Sequence, residues 1–343
     1  MSEIRAAIAD LVAGRKLAPE RLGAAFGEIM DGDATPALAA GLLVGLRMKG
    51  ETVDEIVAVA EALRARATTA VAPDPRTLDT CGTGGSGVDT FNISTTAAFV
   101  VAGAGVPVAK HGNRAATSRS GSFDVLEALG VRIDLPIEVC AKILGEVGIA
   151  PFFARTAHPA FRHVAPVRAE LGVRTLLNCL GPLLSPVGAR YQVVGVYAPE
   201  LVEPLARALS RLGARRAMVV HGSDGLDELT TTGPSTAALV VDGRLESMTV
   251  DPEALGLEKV APAALVGGTP EENAATTRAI LAGERGPRRE IVLLNAAAAL
   301  WVADEADSLA SGLERAARSI DEGAAADRLE ALAKATERAG AAS

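Results

Sequence analysis

The run Asp79-Thr80-Cys81-Gly82-Thr83-Gly84-Gly85-Ser86-Gly87-Val88-Asp89-Thr90-Phe91-Asn92-Ile93-Ser94-Thr95 governs how this chain reads. A strand enters, four glycines turn it, and a helix starts at Asn92–Thr95. Glycines let backbone N–H groups converge on one point without interference from a Cβ. The helix N-terminus that follows adds unpaired N–H groups and the positive end of its dipole. Thr83, Ser86, Thr90, Asn92, Ser94 and Thr95 supply hydroxyl or amide donors. Together these features describe an anion cradle, most simply for phosphate; the bland alternative is a tight structural turn. A P-loop needs a lysine after its last glycine, and Gly87 is followed by Val88. Gly82-x-Gly84-x-x-Gly87 matches the dinucleotide fingerprint, but that motif expects an acidic residue at the end of the next strand. The next strand ends in Lys110-His111, which suits a phosphate-rich ligand and speaks against a nicotinamide cofactor.

Upstream of this run the chain reads as helices. Ser2 is a possible N-cap for a face of Ile4, Ile8, Leu11 and Val12. Pro19 opens a second helix, Thr35-Pro36 caps a third, and Thr52-x-x-Glu55 is a capping box for a fourth. Ala72-Pro73-Asp74-Pro75 reads as a linker, so the expected division is a helical domain over 1–72 and an α/β domain over 73–343. Candidate strands are Thr77–Cys81, Val106–Lys110, Val131–Asp134, Tyr191–Tyr197 and Arg216–His221. Candidate helices are Ser94–Ala104, Phe123–Leu129, Pro136–Val147 and Glu200–Leu212. That alternation predicts βαβ units and a mainly parallel sheet. A helical patch near 165–185, centred on Arg168–Leu180, is expected to complete the helical domain. A capping box at Thr269-Pro270-Glu271-Glu272 opens a helical C-terminal end, with helices over Arg288–Ala303, Ser308–Glu322 and Ala324–Arg338. Small ligands sit in clefts outside the carboxyl ends of such strands.

Two further clusters fall at strand ends. Lys110-His111-Gly112-Asn113-Arg114-Ala115-Ala116-Thr117-Ser118-Arg119-Ser120-Gly121-Ser122 leads into a helix and carries a lysine that can act as a point charge on phosphate. Thr117, Ser118, Ser120 and Ser122 add donors. Asp224-Gly225-Leu226-Asp227-Glu228 follows the strand Arg216–His221 and offers hard oxygen ligands suited to Mg²⁺. A solvated Asp-Glu pair is the usual reading of such a loop, but a phosphate site elsewhere in the chain needs charge neutralisation.

Composition narrows the function classes. The chain has 343 residues, with 34 Lys and Arg against 42 Asp and Glu. A net charge of −8 with 3% aromatics argues against a nucleic-acid binder, which needs clustered basic charge and stacking side chains. No apolar run reaches the roughly 18–20 residues of a membrane span. Met1-Ser2-Glu3-Ile4-Arg5 begins no secretory signal. Cys81, Cys140 and Cys179 are scattered, which predicts reduced thiols in a cytoplasmic protein rather than a disulfide framework or zinc site.

The chain resembles the anthranilate phosphoribosyltransferases over nearly its whole length. The resemblance is carried by Gly82-Thr83-Gly84-Gly85, Asn92-Ile93-Ser94-Thr95, Lys110-His111-Gly112-Asn113-Arg114-Ala115, Asp124-Val125-Leu126-Glu127-Ala128-Leu129-Gly130, Gly181-Pro182-Leu183-Leu184-Ser185-Pro186 and Asp227-Glu228-Leu229. It implies a nucleoside phosphorylase/phosphoribosyltransferase-type fold, α/β with a small helical domain, in a cytoplasmic homodimer formed through that domain. It implies transfer of the phosphoribosyl group of phosphoribosyl pyrophosphate (PRPP) to anthranilate in tryptophan biosynthesis, with Mg²⁺ as cofactor. For PRPP it implies Gly82, Gly85, Ser86, Thr90, Asn92, Ile93, Ser94, Thr95, Lys110, His111, Gly112, Asn113, Arg114, Ala115, Ala116, Thr117, Ser118 and Ser122. For anthranilate it implies Gly82, His111, Asn113, Arg168 and Pro182, and for the metal Ser94, Asp227 and Glu228.

The family commonly has aspartate after Gly-Thr-Gly-Gly, where this chain has Ser86; Asp89 is a candidate to compensate. Lys110, His111 and Arg168 are read as positioning and charge-stabilising groups, since a neutral amine nucleophile requires no strong general base. Two rival readings share the architecture. Pyrimidine nucleoside phosphorylases are typically longer and lack the Lys110–Ala115 type of run. A non-catalytic, nucleic-acid-binding relative is disfavoured by the net charge.

Overall fold

A computed structural model describes residues 2–115 and 119–341. Four helices come first: α1 (Glu3–Val12), α2 (Pro19–Asp31), α3 (Pro36–Lys49) and α4 (Val53–Arg64). Then follow β1 (Leu78–Gly82), α5 (Ile93–Gly103), β2 (Val108–Gly112), α6 (Ser122–Ala128), α7 (Ile137–Val147), β3 (Ile149–Phe153), α8 (Ala154–Ala157), α9 (Ala165–Leu171) and α10 (Leu177–Leu180). The chain continues with β4 (Tyr191–Gly195), α11 (Val202–Arg211), β5 (Arg216–Gly222), β6 (Ser235–Val241) and β7 (Arg244–Val250). It ends in α12 (Pro270–Leu281), α13 (Pro287–Val302), α14 (Leu309–Asp321) and α15 (Ala324–Ala341).

The helix starts follow the local chemistry. Pro19 and Pro36 occupy first-turn positions, where their missing N–H groups go unmissed. Thr52 Oγ1 accepts from the Glu55 amide at 3.3 Å, and Glu55 Oε2 accepts from the Thr52 amide at 2.9 Å. Thr269 and Glu272 repeat this box at α12. Ser2 takes the N-cap position of α1, but its hydroxyl donates to Glu28 Oε2 at 2.6 Å instead of capping. Val12, read as part of the buried face of α1, is 85% exposed.

The seven strands lie in the order β3-β2-β1-β4-β5-β6-β7. The first five are parallel, and β6 and β7 add antiparallel. Both faces of the sheet are covered. Val193, Met218 and Val220 enter a core shared with α5, α7, α13 and α15, while Val194, Ala217 and Val219 enter a second core shared with α1–α4 and α11. This follows from the period-2 alternation of strand side chains, and burial on both faces is why Val193–Val194 of β4 and Ala217–Val220 of β5 are apolar without alternation. Val164 and Val167, at and within α9, join the second core beside the N-terminal helices.

Three sequence expectations are corrected. Val131–Asp134 is not a strand. Its alternation is real, with Val131 and Ile133 buried, but the Arg132 amide donates to Thr336 Oγ1 on α15 at 3.1 Å and pairs with no strand. The strand is instead Ile149–Phe153, which takes the sheet edge, where Pro151 leaves no central ladder bond unmade. The helical patch Arg168–Leu180 divides at Gly172 into α9 and α10. The hairpin β6–β7 was not anticipated, although Asp242 (φ 45°) and Gly243 (φ 84°) form the Asp-Gly turn that signals one.

Candidate active site

The parallel strand order reverses between β1 and β4, and ligands bind outside the strand ends at such a point. Four segments leave the sheet there: the glycine loop after β1, the lysine-led run at the end of β2, the residues after β4, and Asp224–Glu228 after β5. The Thr83 amide donates to the Gly195 carbonyl at 2.9 Å, and Thr83 Oγ1 accepts from the Tyr197 amide at 3.0 Å. These bonds tie the root of the glycine loop to β4. Beyond that root Gly84, Gly85 and Gly87 take φ of 66°, 75° and 77°, a region closed to most side chains.

Asp227 and Glu228 close on this loop and on α5. Asp227 Oδ2 accepts from the Gly84 amide at 2.8 Å. Glu228 Oε1 accepts from the Ser94 amide at 3.2 Å, and the Ser94 hydroxyl reaches the same carboxylate. Space for the pair depends on missing side chains. A Cβ on Gly82 would stand 2.5 Å from Asp227 Oδ2, and one on Gly195 would overlap the Asp227 carbonyl. The Leu229 peptide is clamped from α13, where Asn295 Oδ1 accepts from the Leu229 amide at 3.1 Å and Asn295 Nδ2 donates to its carbonyl at 2.8 Å.

Below the loop lies a buried charged group. Lys110 is 2% exposed and donates to the Thr80 carbonyl, facing Asp79 and Glu228. Asp79 Oδ1 accepts from the His111 amide at 3.1 Å, and its Oδ2 has no partner. Burial pushes the Asp79 carboxyl up to about 6, with Lys110 pulling the other way. Burial, and then Asp227 beside it, pushes Glu228 up to about 7. Burial drives His111 down to about 3, with His158 and Lys110 adding repulsion, so the ring is neutral at ordinary pH. It packs edge-on against His158 at 5.3 Å between centroids, and its Nε2 is unpartnered.

The lysine-led run is held by Asp124, whose Oδ2 accepts from the Ala115 amide at 2.8 Å and the Gly121 amide at 2.9 Å. Asn113 is exposed, and its carbonyl accepts from Ser122 Oγ at 3.3 Å. Gly112 is close-packed, since a Cβ there would stand 2.5 Å from Ser122 Oγ. Arg114 points outward, pairing with Glu127 at 2.7 Å. The Asn92 side chain donates to the Ser120 carbonyl at 3.3 Å and accepts from Asn273 at 3.0 Å. Thr95 Oγ1 is buried without a partner. Ile93 is buried, Thr90 bridges to Val266, and Ser86 Oγ accepts from the Val88 amide at 3.4 Å. Ala116, Thr117 and Ser118 lie outside the described residues. Asp89 is exposed, and no side-chain bond joins it to the cluster among the described residues.

Arg168 lies on α9, and Pro182 in the turn after α10. Pro182 is in a short turn packed on β1, and its carbonyl accepts from Gln192 at 2.9 Å. Arg168 is partly buried on α9, and among the described residues its guanidinium has no hydrogen bond or ion pair. Burial lowers its proton affinity. No bond connects it to the buried cluster.

The donor set suits a magnesium ion shared with substrate. Among the described residues no cluster of three or more His, Cys, Asp or Glu can hold a metal alone. Mg²⁺ typically takes one or two carboxylates plus phosphate oxygens and water. Asp227, Glu228 and the Ser94 hydroxyl are the residues that could furnish such a partial shell, and the raised Glu228 pKa marks a carboxylate short of positive charge.

Asp79 and Asn295 are the residues that sequence reasoning missed. Asn295 left a signal, as the single polar break in the apolar run Ile291–Ala303. Asp79 stood at the head of the glycine run, but nothing in the sequence shows that a strand residue faces a lysine on the neighbouring strand.

Comparison with known proteins gives a consistent answer. The chain matches the family models of the glycosyl transferase family, helical bundle domain, over residues 5–67, and a/b domain, over residues 74–326. It is 53% identical to the anthranilate phosphoribosyltransferase of Moorella thermoacetica, over 96% of this chain and 97% of that one. It is 54% identical to that of Thermomicrobium roseum, over 96% of each. Among solved structures, the Thermus thermophilus enzyme aligns with a TM-score of 0.92 at 44% identity, over 98% of this chain and 100% of that one. The Saccharomyces cerevisiae enzyme in complex with PRPP and Mg aligns with a TM-score of 0.91 at 27% identity, over 98% of each.

Proposed function

This chain belongs to the anthranilate phosphoribosyltransferase family, an enzyme family that transfers the phosphoribosyl group of PRPP to the amine of anthranilate in tryptophan biosynthesis, and from that premise we propose how its residues divide the work. The anthranilate nitrogen forms a bond to C1 of the ribose as the C1–O bond to pyrophosphate breaks. The proton lost by the amine passes to solvent. Such displacements pass through oxocarbenium-like transition states, with charge gathering on the departing group.

The glycine loop over Gly82–Thr90 and the segment Asn92–Thr95 receive the phosphates of PRPP through backbone amides and hydroxyls. The lysine-led run Lys110–Ser118, with Ser122, closes the other side of that ligand. Mg²⁺ held by Ser94, Asp227 and Glu228 would neutralise charge on the pyrophosphate as it leaves. Lys110 offsets the charge of the buried Asp79 behind those ligands and of Glu228 among them. His111 positions substrate as a neutral ring and moves no proton. Arg168 pairs bidentately with the anthranilate carboxylate, beside Gly82, Asn113 and Pro182. An unpaired, partly buried guanidinium is costly unless an anion completes it, and this supports the assignment.

The single observation that carries the reading is that Asp227 and Glu228 bond to the Gly84 and Ser94 amides. Carboxylates and anion-receiving amides thus meet at one point, as a magnesium-bridged diphosphate requires. Anthranilate fluorescence tests it. It falls when the protein, PRPP and Mg²⁺ are all present, and loss that ignored PRPP would overturn the reading.

We also read the chain as a homodimer formed through the helical domain, dividing near residue 72. In support, Val12 on α1 and Met48 on α3 are 85% and 83% exposed, and those helices are packed together. No helix among the described residues is long and apolar enough to cross a membrane, which is compatible with a cytoplasmic enzyme.

A further inference from the structure

Arg174 belongs to none of the residue sets above, yet it reaches the glycine loop. It lies in the segment between α9, which carries Arg168, and α10. Its guanidinium carbon stands 4.2 Å from the centroid of the Tyr197 ring, within cation–π range. Its Nη2 donates to the Gly85 carbonyl. Tyr197 is itself joined to the loop, since its amide donates to Thr83 Oγ1 at 3.0 Å. One arginine therefore rests on a platform fixed to the loop's root and grips the loop's middle.

The grip has a directional consequence. A trans peptide is planar, so its C=O and the N–H of the next residue point in opposite directions. Holding the Gly85 carbonyl toward Arg174 turns the Ser86 N–H away from it. Four glycines make this loop free to adopt many conformations, and a ligand binding a loose loop would have to order it. An anchor outside the anion site removes that ordering from the binding step. The point carries extra weight here, because Ser86 stands where the family resemblance implies aspartate.

We propose that Arg174 is a positioning residue that holds the Gly85–Ser86 peptide, against the Tyr197 platform, with the Ser86 N–H presented to the diphosphate of PRPP. The inference rests on the PRPP reading of the loop. It requires no contact between Arg174 and substrate.

The test compares Arg174→Ala, Arg174→Lys, Tyr197→Phe and Tyr197→Leu with the wild type. Each is measured by steady-state kinetics, by calorimetry with pyrophosphate and Mg²⁺, and by thermal melting. Arg174→Ala should raise the KM for PRPP and the Kd for magnesium pyrophosphate about 10-fold, which corresponds to about 1.4 kcal/mol. The anthranilate KM at saturating PRPP and the melting temperature should hardly move. Arg174→Lys keeps a cation over the ring and a donor, so it should recover most of the loss. Tyr197→Phe should behave as wild type, and Tyr197→Leu should behave as Arg174→Ala. Unchanged PRPP and pyrophosphate constants in Arg174→Ala overturn the proposal. So does a loss that follows melting temperature and is not rescued by lysine. If the wild type consumes no anthranilate, the reading of the site fails first and takes this inference with it; an active wild type with an indifferent Arg174 refutes the inference alone.

Discussion

Replacing Gly82 with alanine probes the site with one carbon atom. Gly82 is the last residue of β1 and its φ is not in the left-handed region, so alanine fits the backbone. The added Cβ would stand 2.5 Å from Asp227 Oδ2 and 3.3 Å from its Cγ. Ordinary contacts begin near 3.4 Å, so the carboxylate must withdraw by 3.4 − 2.5, or about 0.9 Å. It is the far end of a flexible side chain, so folding survives. The 2.8 Å bond from the Gly84 amide does not, and a charge-assisted bond of this kind contributes roughly 1.5–3 kcal/mol. A displacement of about 1 Å at a positioning group can lower turnover about 100-fold. We expect kcat/KM for PRPP to fall by ~10- to 100-fold, a loss of ~1.4–2.7 kcal/mol in transition-state binding. The Mg²⁺ concentration for half-maximal rate should rise with it. Gly195→Ala is the control for severity, because its Cβ runs into the main-chain carbonyl of Asp227, which cannot swing aside, and soluble protein should be lost. The assay is anthranilate fluorescence across a matrix of PRPP and Mg²⁺ concentrations. A folded Gly82→Ala protein with wild-type magnesium dependence would refute the placement of Asp227 at the metal.

The remaining predictions use the same assays. Arg168→Ala should raise the anthranilate KM by ~30-fold or more, about 2 kcal/mol, while stability holds or improves, because the guanidinium has no protein partner among the described residues; an unchanged KM removes Arg168 from the site. His158 is 6% exposed with its pKa lowered by burial from 6.5 to about 4, so it contributes stability above pH 6.5 that is lost as pH falls toward 4. In urea titrations at pH 7.5 and 5, His158→Gln should therefore resist acid better than wild type by about 1.36 × 1.5, or ~2 kcal/mol, and parallel pH curves would contradict the burial argument. Asn295→Leu removes both bonds to the Leu229 peptide and should lower stability by ~2–4 kcal/mol and weaken magnesium dependence; normal magnesium response in a destabilised protein would limit Asn295 to packing. Chelating Mg²⁺ should abolish turnover and weaken pyrophosphate binding, read by calorimetry, and tight binding in the chelator would exclude the carboxylate pair from the diphosphate site.

What was legible in the sequence was whatever is local. The capping boxes at Thr52 and Thr269, the prolines at Pro19 and Pro36, and the glycine turn all report interactions between residues a few positions apart. The alternation of Val131, Ile133 and Leu135 is as strand-like as any in the chain, but alternation records burial on one side only. Whether another strand or α15 supplies the hydrogen bonds is a long-range matter. Ile149–Phe153 failed for the converse reason: it is apolar throughout, follows an apolar helix directly and contains Pro151, which only an edge position tolerates. The candidate site divides in the same way. The Asp227–Glu228 pair and the glycine loop are short motifs. Asp79 facing Lys110, Asn295 clamping Leu229 and Arg174 reaching Gly85 join residues between 31 and 89 positions apart, and no local pattern encodes them.

The charge balance explains why these separated residues must be joined. Among the described residues Asp79 and Glu228 face one ammonium, that of Lys110, and Asp227 stands beside Glu228. The raised pKa values of Asp79 and Glu228 show that one lysine does not offset the burial of these acids. A diphosphate approaching this floor unaccompanied meets like charge, and it finds the Gly84 amide already taken by Asp227. A divalent cation held by Ser94, Asp227 and Glu228 would change that charge balance. It would supply the positive charge that Glu228 lacks. By this balance the site would take a magnesium-bound diphosphate in preference to a bare one, since only the former would bring the charge that Asp79 and Glu228 lack.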